Sequence, residues 1–194
     1  MKPIPTEIPE VLLVPTRVFH DERGYFLESY VAERYRRAGI ASSFVQDNCS
    51  RSHAGVLRGL HFQRGAAAQD KLVRVTRGRV FDVAVDLRRG SPTFKRWVGV
   101  VLSADEAASL FIPAGFAHGF CALTEADLEY KCSAYYSPAD ERGVAWDDPD
   151  LGIEWPIERP AVSARDRALP RLAELAEGDL PSSASLGLPT GGHA

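Results

Sequence analysis

The chain has 194 residues, 45% of them hydrophobic, enough to bury a full core as one domain. A formal net charge of -3 with the signs interspersed offers no basic field for nucleic acid, and three cysteines without CxxC spacing indicate neither a disulfide framework nor a thiolate metal cluster. No signal-type pattern follows Met1 and no apolar run approaches the roughly twenty residues of a membrane helix, so a reducing, cytoplasmic setting without membrane partners is expected.

In chain order, residues 11–14 form an apolar run closed by Pro15, read as a first strand. Val18 and Phe19 lead to a polar turn around Gly24, from which Tyr25, Phe26 and Leu27 continue as an aromatic strand; Arg23 and Glu28 bracket the turn. Residues 31–38 are good helix formers followed by Gly39, which predicts one short surface helix. Residues 44–50 alternate so that Gln46, Asn48 and Ser50 share a face, either a solvated sheet surface or a hydrogen-bonding wall.

Residues 56–63 and 71–75 are two apolar strand runs joined by a small-residue loop around Gly65. Residues 80–87 sort by parity into Phe81, Val83, Val85 and Leu87 on a core face, with Val80, Asp82, Ala84 and Asp86 on a partly acidic one. After a turn at residues 90–93 comes the apolar run 97–102, and Ser103 with Glu106 three residues on has the capping-box spacing that predicts a short helical turn. Residues 111–120 resume strand character around a Pro/Gly bend, and residues 128–136 are the last clear strand. From Asp147 the pattern becomes Pro- and Trp-rich loop, and residues 164–176 have helical composition. Many short strands with little helix predict a mostly β sandwich or barrel as one domain over residues 1–177, with residues 178–194 as a disordered tail.

Arg58, His61 and Lys71 stand inside the two central strand runs. Charged side chains there are costly unless solvated or paired, so they are candidates for lining a cavity that does chemistry. Two of them have a plain alternative: a satisfied core histidine for His61, a snorkelling edge-strand lysine for Lys71. Arg58 and His61 are three apart, which strict alternation sends to opposite faces; for both to reach one pocket, Gly59 is the natural place for a bulge or twist.

Gly59-Leu60-His61-Phe62-Gln63 and Pro113-Ala114-Gly115-Phe116-Ala117-His118 resemble the two strand motifs of the cupin superfamily, a double-sheet jelly roll with a site at its mouth. Metal-binding cupins have a second histidine where Gln63 stands and a glutamate downstream, which is missing before Lys71. Two histidines without a carboxylate are a poor set for a divalent ion, so a cupin with no metal is expected.

From residue 8 to residue 170 the chain further resembles the dTDP-4-dehydrorhamnose 3,5-epimerase family. The matching pieces include Asp21-Glu22-Arg23-Gly24, Gln46-Asp47-Asn48, Leu57-Arg58-Gly59-Leu60-His61, Gln69-Asp70-Lys71-Leu72-Val73, Ser91-Pro92-Thr93-Phe94, Tyr130-Lys131, Tyr135-Tyr136 and Ser163-Ala164-Arg165-Asp166. The resemblance implies a double-stranded β-helix jelly roll with a few short helices. It also implies a cofactor-independent isomerase that epimerises C3 and C5 of a dTDP-4-keto-6-deoxyhexose through an enolate. Such chemistry needs a base, an oxyanion stabiliser and an acid on the opposite face of the ring. By resemblance these are His61 with Asp166 as its partner, Lys71, and Tyr130. Arg23, Glu28, Gln46, Asn48, Arg58, His118, Glu141 and Arg165 are implied substrate contacts, and Tyr136 is implied to stack on the base; Arg165 stands where lysine is more usual. A homodimer exchanging N-terminal strands is implied, with Arg23 and Glu28 reaching the neighbouring site.

On spacing alone Asp166, three residues after Ser163, reads better as a helix-capping carboxylate, and Tyr130 as a packed aromatic. The alternatives for function are a single-carbon epimerase of the same family, a non-catalytic nucleotide-sugar-binding cupin, and a metal-dependent cupin oxygenase, which would need a ligand where Gln63 stands.

Overall fold

The computed structural model describes residues 2–182. Its strands are β1 (Ile4–Pro5), β2 (Leu12–Pro15), β3 (Val18–Asp21), β4 (Gly24–Leu27), β5 (Gln46–Ser52), β6 (Val56–Gln63), β7 (Lys71–Arg77), β8 (Arg79–Asp86), β9 (Trp97–Ser103), β10 (Ala108–Ile112), β11 (Phe116–Ala122), β12 (Ala126–Cys132), β13 (Glu141–Gly143) and β14 (Ala161–Val162). Two short α-helices accompany them, α1 (Ala32–Arg37) and α2 (Ala164–Arg167). One sheet runs β1-β2-β10-β7-β12-β5 and the other β13-β6-β11-β8-β9, with β14 beside β6. These are the two packed sheets of a cupin-like jelly roll, as expected.

The consecutive strands β6 and β7 belong to different sheets, and the short 3-10 turn Gly65–Ala67 carries the chain between them. His61 and Lys71 therefore stand on opposite walls. Between the sheets Val73, Val75, Val80, Ala84, Leu110, Phe120 and Leu128 form the inner core. Apolar side chains on alternate positions of β6, β8 and β11 face the other way, where Val144, Leu151 and Leu172 of the C-terminal segment cover them. All seven residues of β11 are buried as a result. α1 closes the outer face of the first sheet, packing Tyr35 with Val14 and Leu72.

The acidic face of β8 points inward, and Asp82 and Asp86 are both fully buried. Asp86 is held by Arg88 Nε at 2.9 Å and Nη2 at 2.8 Å, by Ser91 Oγ at 2.5 Å and by Thr93 Oγ1 at 2.6 Å. The Arg88 guanidinium also lies 4.5 Å over the Phe116 ring. Burial alone would raise the Asp86 carboxyl, but these donors outweigh it and hold it below the ordinary carboxylate value. A buried ion can persist only with such a full set of partners.

Local departures from expectation have local causes. The expected helical turn at Ser103 is a hairpin turn: Asp105 N donates to Ser103 Oγ at 3.2 Å, and β10 begins at Ala108 before a helix has room to propagate. The helical composition of residues 164–176 yields only α2 and the 3-10 turn Leu172–Glu174, because Pro170 lacks an N–H and biases the residue before it out of helix. In the segment expected as a tail, Leu180 packs against the second core cluster and Arg89 N donates to Pro181 O at 2.8 Å, while residues 183–194 lie outside the described residues.

Candidate active site

A cavity of about 710 Å³ opens between the two sheets. Gln46, Asn48, Lys71 and Tyr130 line it from β5, β7 and β12; Arg58, His61, His118 and Glu141 line it from β6, β11 and β13, and Arg165 and Asp166 from α2. Arg23 and Glu28 do not line it: Arg23 pairs with Asp21 at the exposed hairpin turn and Glu28 with Arg34.

Arg58 and His61 reach the same cavity through a bulge. Across β6 and β11, His61 faces His118 and Arg58 faces Phe120, so two residues of β6 lie opposite one of β11. Gly59, in the extra-residue segment, has φ +124°, and a Cβ there would sit 2.5 Å from Gly119 Cα. Only glycine combines that conformation with so close an approach.

Asp166 and His61 are 105 positions apart in the chain and form the centre of the site. Ser163 Oγ accepts from Asp166 N at 3.0 Å, so the serine caps α2 and leaves the aspartate carboxylate free for another partner. Its Oδ1 lies 3.0 Å from His61 Nε2, and Oδ2 accepts from Gly59 N at 3.3 Å. Burial works to raise the Asp166 carboxyl, but His61, Gly59 N–H and Ser163 prevail and hold it below its ordinary range. An ionised carboxylate only accepts, so Nε2 carries the proton and Nδ1 keeps the lone pair. Nδ1 is buried without a hydrogen-bond partner among the described residues, with Glu141 Oε1 3.7 Å away. Glu141 Oε2 in turn accepts from Tyr136 Oη at 2.6 Å and from the Arg165 guanidinium.

On the facing wall, Lys71 belongs to the central strand β7, not to an edge, and is only 9% exposed. Among the described residues its ammonium makes no hydrogen bond or ion pair, and burial pushes its pKa down. Its nitrogen lies 6.0 Å from the Tyr130 ring centroid. Burial pushes the Tyr130 phenol up, so that it stays protonated.

Gln46, Asn48 and Ser50 form a hydrogen-bonding wall, not a wet surface. Gln46 Nε2 donates to Asn48 Oδ1 at 3.0 Å, and Gln46 Oε1 accepts from Tyr136 N at 2.9 Å. Gln63, at the position of a metal-cupin histidine, is committed elsewhere: its amide donates to Ala67 O at 2.7 Å and accepts from Ser137 N at 2.6 Å. Among the described residues no group of three or more His, Cys, Asp or Glu side chains is arranged to hold a metal ion.

Sequence reasoning passed over Asp82, whose two carboxylate oxygens each lie 3.0 Å from His118 Nε2. The parity of β8 had put Asp82 opposite Val83, and the histidine it meets lies on another strand. His118 on β11 and Asp82 on β8 thus form a second histidine–carboxylate pair, here with both oxygens on one ring nitrogen.

A sequence profile described as dTDP-4-dehydrorhamnose 3,5-epimerase matches residues 5–174. The chain belongs to this epimerase family. The dTDP-4-dehydrorhamnose 3,5-epimerase of Salmonella typhimurium is 54% identical over 172 residues, covering 87% of this chain and 94% of that protein. Two solved family structures are similarly close. The Legionella pneumophila Philadelphia 1 epimerase, in complex with dTDP-4-keto-L-rhamnose, superposes with a TM-score of 0.90 at 48% identity, covering 93% of this chain and 97% of that one. A 3'-monoepimerase from Streptomyces bikiniensis, in complex with dTDP-quinovose, superposes with a TM-score of 0.88 at 37% identity, covering 96% of each chain.

Proposed function

We propose that this protein epimerises C3 and C5 of a dTDP-4-keto-6-deoxyhexose by proton abstraction and return through an enolate. The observation that carries the reading is the His61–Asp166 pair at 3.0 Å sharing one cavity with Lys71 and Tyr130 from the facing sheet. A ketone at C4 makes the neighbouring C–H bonds weakly acidic and moves charge to the ketone oxygen as either proton leaves. His61 Nδ1 takes the proton, and Asp166 stabilises the imidazolium and fixes its tautomer. Nδ1 is shielded in the free site, so the sugar reaches it by displacing what covers it. Among the described residues the Lys71 ammonium makes no hydrogen bond or ion pair, with Asp82 and Glu141 acting on it only at longer range, so it is available to the enolate oxygen. Tyr130 keeps its proton and returns it from the opposite wall. Arg58 and Arg165 hold the diphosphate, Gln46, Asn48, His118 and Glu141 add polar contacts, and Tyr136 stacks on the thymine.

The same reading extends to a homodimer. Among the described residues the β3–β4 hairpin pairs with no other strand, and Phe19, Tyr25 and Phe26 are 43%, 66% and 65% exposed on it. An apolar hairpin of that kind is covered by a partner subunit, to whose site it delivers Arg23 and Glu28.

A single-carbon epimerase is the second reading, favoured by the likeness to the Streptomyces bikiniensis 3'-monoepimerase. Incubation of the 4-keto sugar nucleotide in heavy water separates the two: deuterium enters at both C3 and C5 for the double epimerase and at one carbon for the single. His61→Ala is expected to incorporate none. Full exchange by that variant, or no exchange by the parent protein, overturns the mechanism.

A further inference from the structure

Within the cavity wall, two buried side-chain atoms have no hydrogen-bond partner among the described residues: His61 Nδ1 and Ser50 Oγ. The first is the nitrogen assigned above to proton abstraction. The second belongs to no role so far described. A hydroxyl is both donor and acceptor, and leaving it buried and unpaired is costly, so an orphaned one in a folded protein calls for a physical reason.

The neighbours of Ser50 sharpen the case. Gln46, Asn48, Ser50 and Ser52 alternate along one face of β5. Gln46 is bonded to Asn48 and to Tyr136 N, and Asn48 Nδ2 reaches Cys132 Sγ at 3.6 Å. Ser52 Oγ accepts from Arg58 Nε at 2.9 Å, and Arg58 Nη2 donates to Arg51 O at 3.0 Å, which pins the guanidinium at the cavity rim. Ser50 alone in this row has no bond, and it stands between the amide pair and the serine that anchors Arg58.

We infer that Ser50 is a substrate-contact residue whose hydroxyl donates to an oxygen of the substrate's diphosphate, beside the Arg58 guanidinium. This rests on the nucleotide-sugar reading of the cavity. Rotation about χ1 is all the serine needs to present Oγ to an anion there, and no internal bond opposes the rotation. A hydroxyl donating to a charged oxygen is among the stronger neutral-donor contacts, so its loss shows as weaker binding.

Because Oγ bonds to no other group among the described residues, Ser50→Ala separates a ligand contact from a structural one. Isothermal titration with dTDP is expected to give about a tenfold larger Kd for Ser50→Ala than for the parent protein. The thermal midpoint of the free variant is expected to be unchanged or higher. Thymidine, which lacks the diphosphate, is expected to bind both forms alike in a nuclear magnetic resonance titration that reads millimolar affinities. A dTDP affinity within twofold of the parent's, or a free variant that melts several degrees lower, overturns the contact. An equal loss for thymidine overturns the assignment to the diphosphate. Failure of the parent protein itself to bind dTDP would instead remove the nucleotide-sugar reading on which the inference stands.

Discussion

Asp166 gives the site its direction at the scale of single residues. It leaves His61 with one protonated nitrogen and one basic one, and it is itself ionised because its hydrogen bonds outweigh the effect of burial. An asparagine there can keep accepting from Gly59 N, so the fold survives, but its amide N–H turns toward Nε2 and sends the imidazole proton to Nδ1. We expect Asp166→Asn to retain its thermal midpoint while kcat falls by about 10³- to 10⁴-fold, with KM altered far less. Steady-state kinetics check this, and a kcat within tenfold of the parent's counts against Asp166 as the tautomer-setting partner. His118 with Asp82 is a second histidine–carboxylate pair, while the Lys71 ammonium makes no ion pair among the described residues.

The bulge in β6 decides the site at the scale of elements. A regular strand would send Arg58 and His61 to opposite faces, and one of them would leave the cavity. Gly59 makes the extra residue possible by its positive φ and by its approach to Gly119. Gly59→Ala meets both obstacles at once. It is expected to lower unfolding free energy by more than about 1 kcal/mol in urea titrations and to reduce kcat/KM as Arg58 and His61 lose their shared wall. A variant as stable and active as the parent would show that the glycine is dispensable.

The whole molecule leaves one element unpaired. Among the described residues the β3–β4 hairpin has a strand partner only in itself, and its aromatic side chains lie open while Arg23 and Glu28 sit outside the cavity. In the proposed homodimer a second copy of the chain would cover those rings and receive these two residues at its own site. Light scattering is expected to give twice the mass of one chain, and Phe26→Asp, which places a charge on that surface, is expected to shift the population toward monomer. A parent protein that is monomeric at micromolar concentration would exclude the exchange.

Much of the fold could be read along the chain, because alternation and turn residues are local signals. The strand runs, the helix at α1 and the special position of Gly59 follow from them. Parity tells which side chains share a face but not what that face meets. It placed Gln46, Asn48 and Ser50 together, yet only sheet packing makes their row a cavity wall, and it put Asp82 and Asp86 on an acidic face that packing turned inward. On spacing alone Asp166 was better read as a cap; the structure gives the cap to Ser163 and the carboxylate to His61. The crossing from β6 to β7 set His61 and Lys71 on opposite walls although ten positions separate them in the chain. Sequence by itself determined the residue types, their faces and the family resemblance. Only the tertiary structure decided which of those faces enclose a site, because contacts between distant residues depend on strand order and register, which local periodicity does not encode.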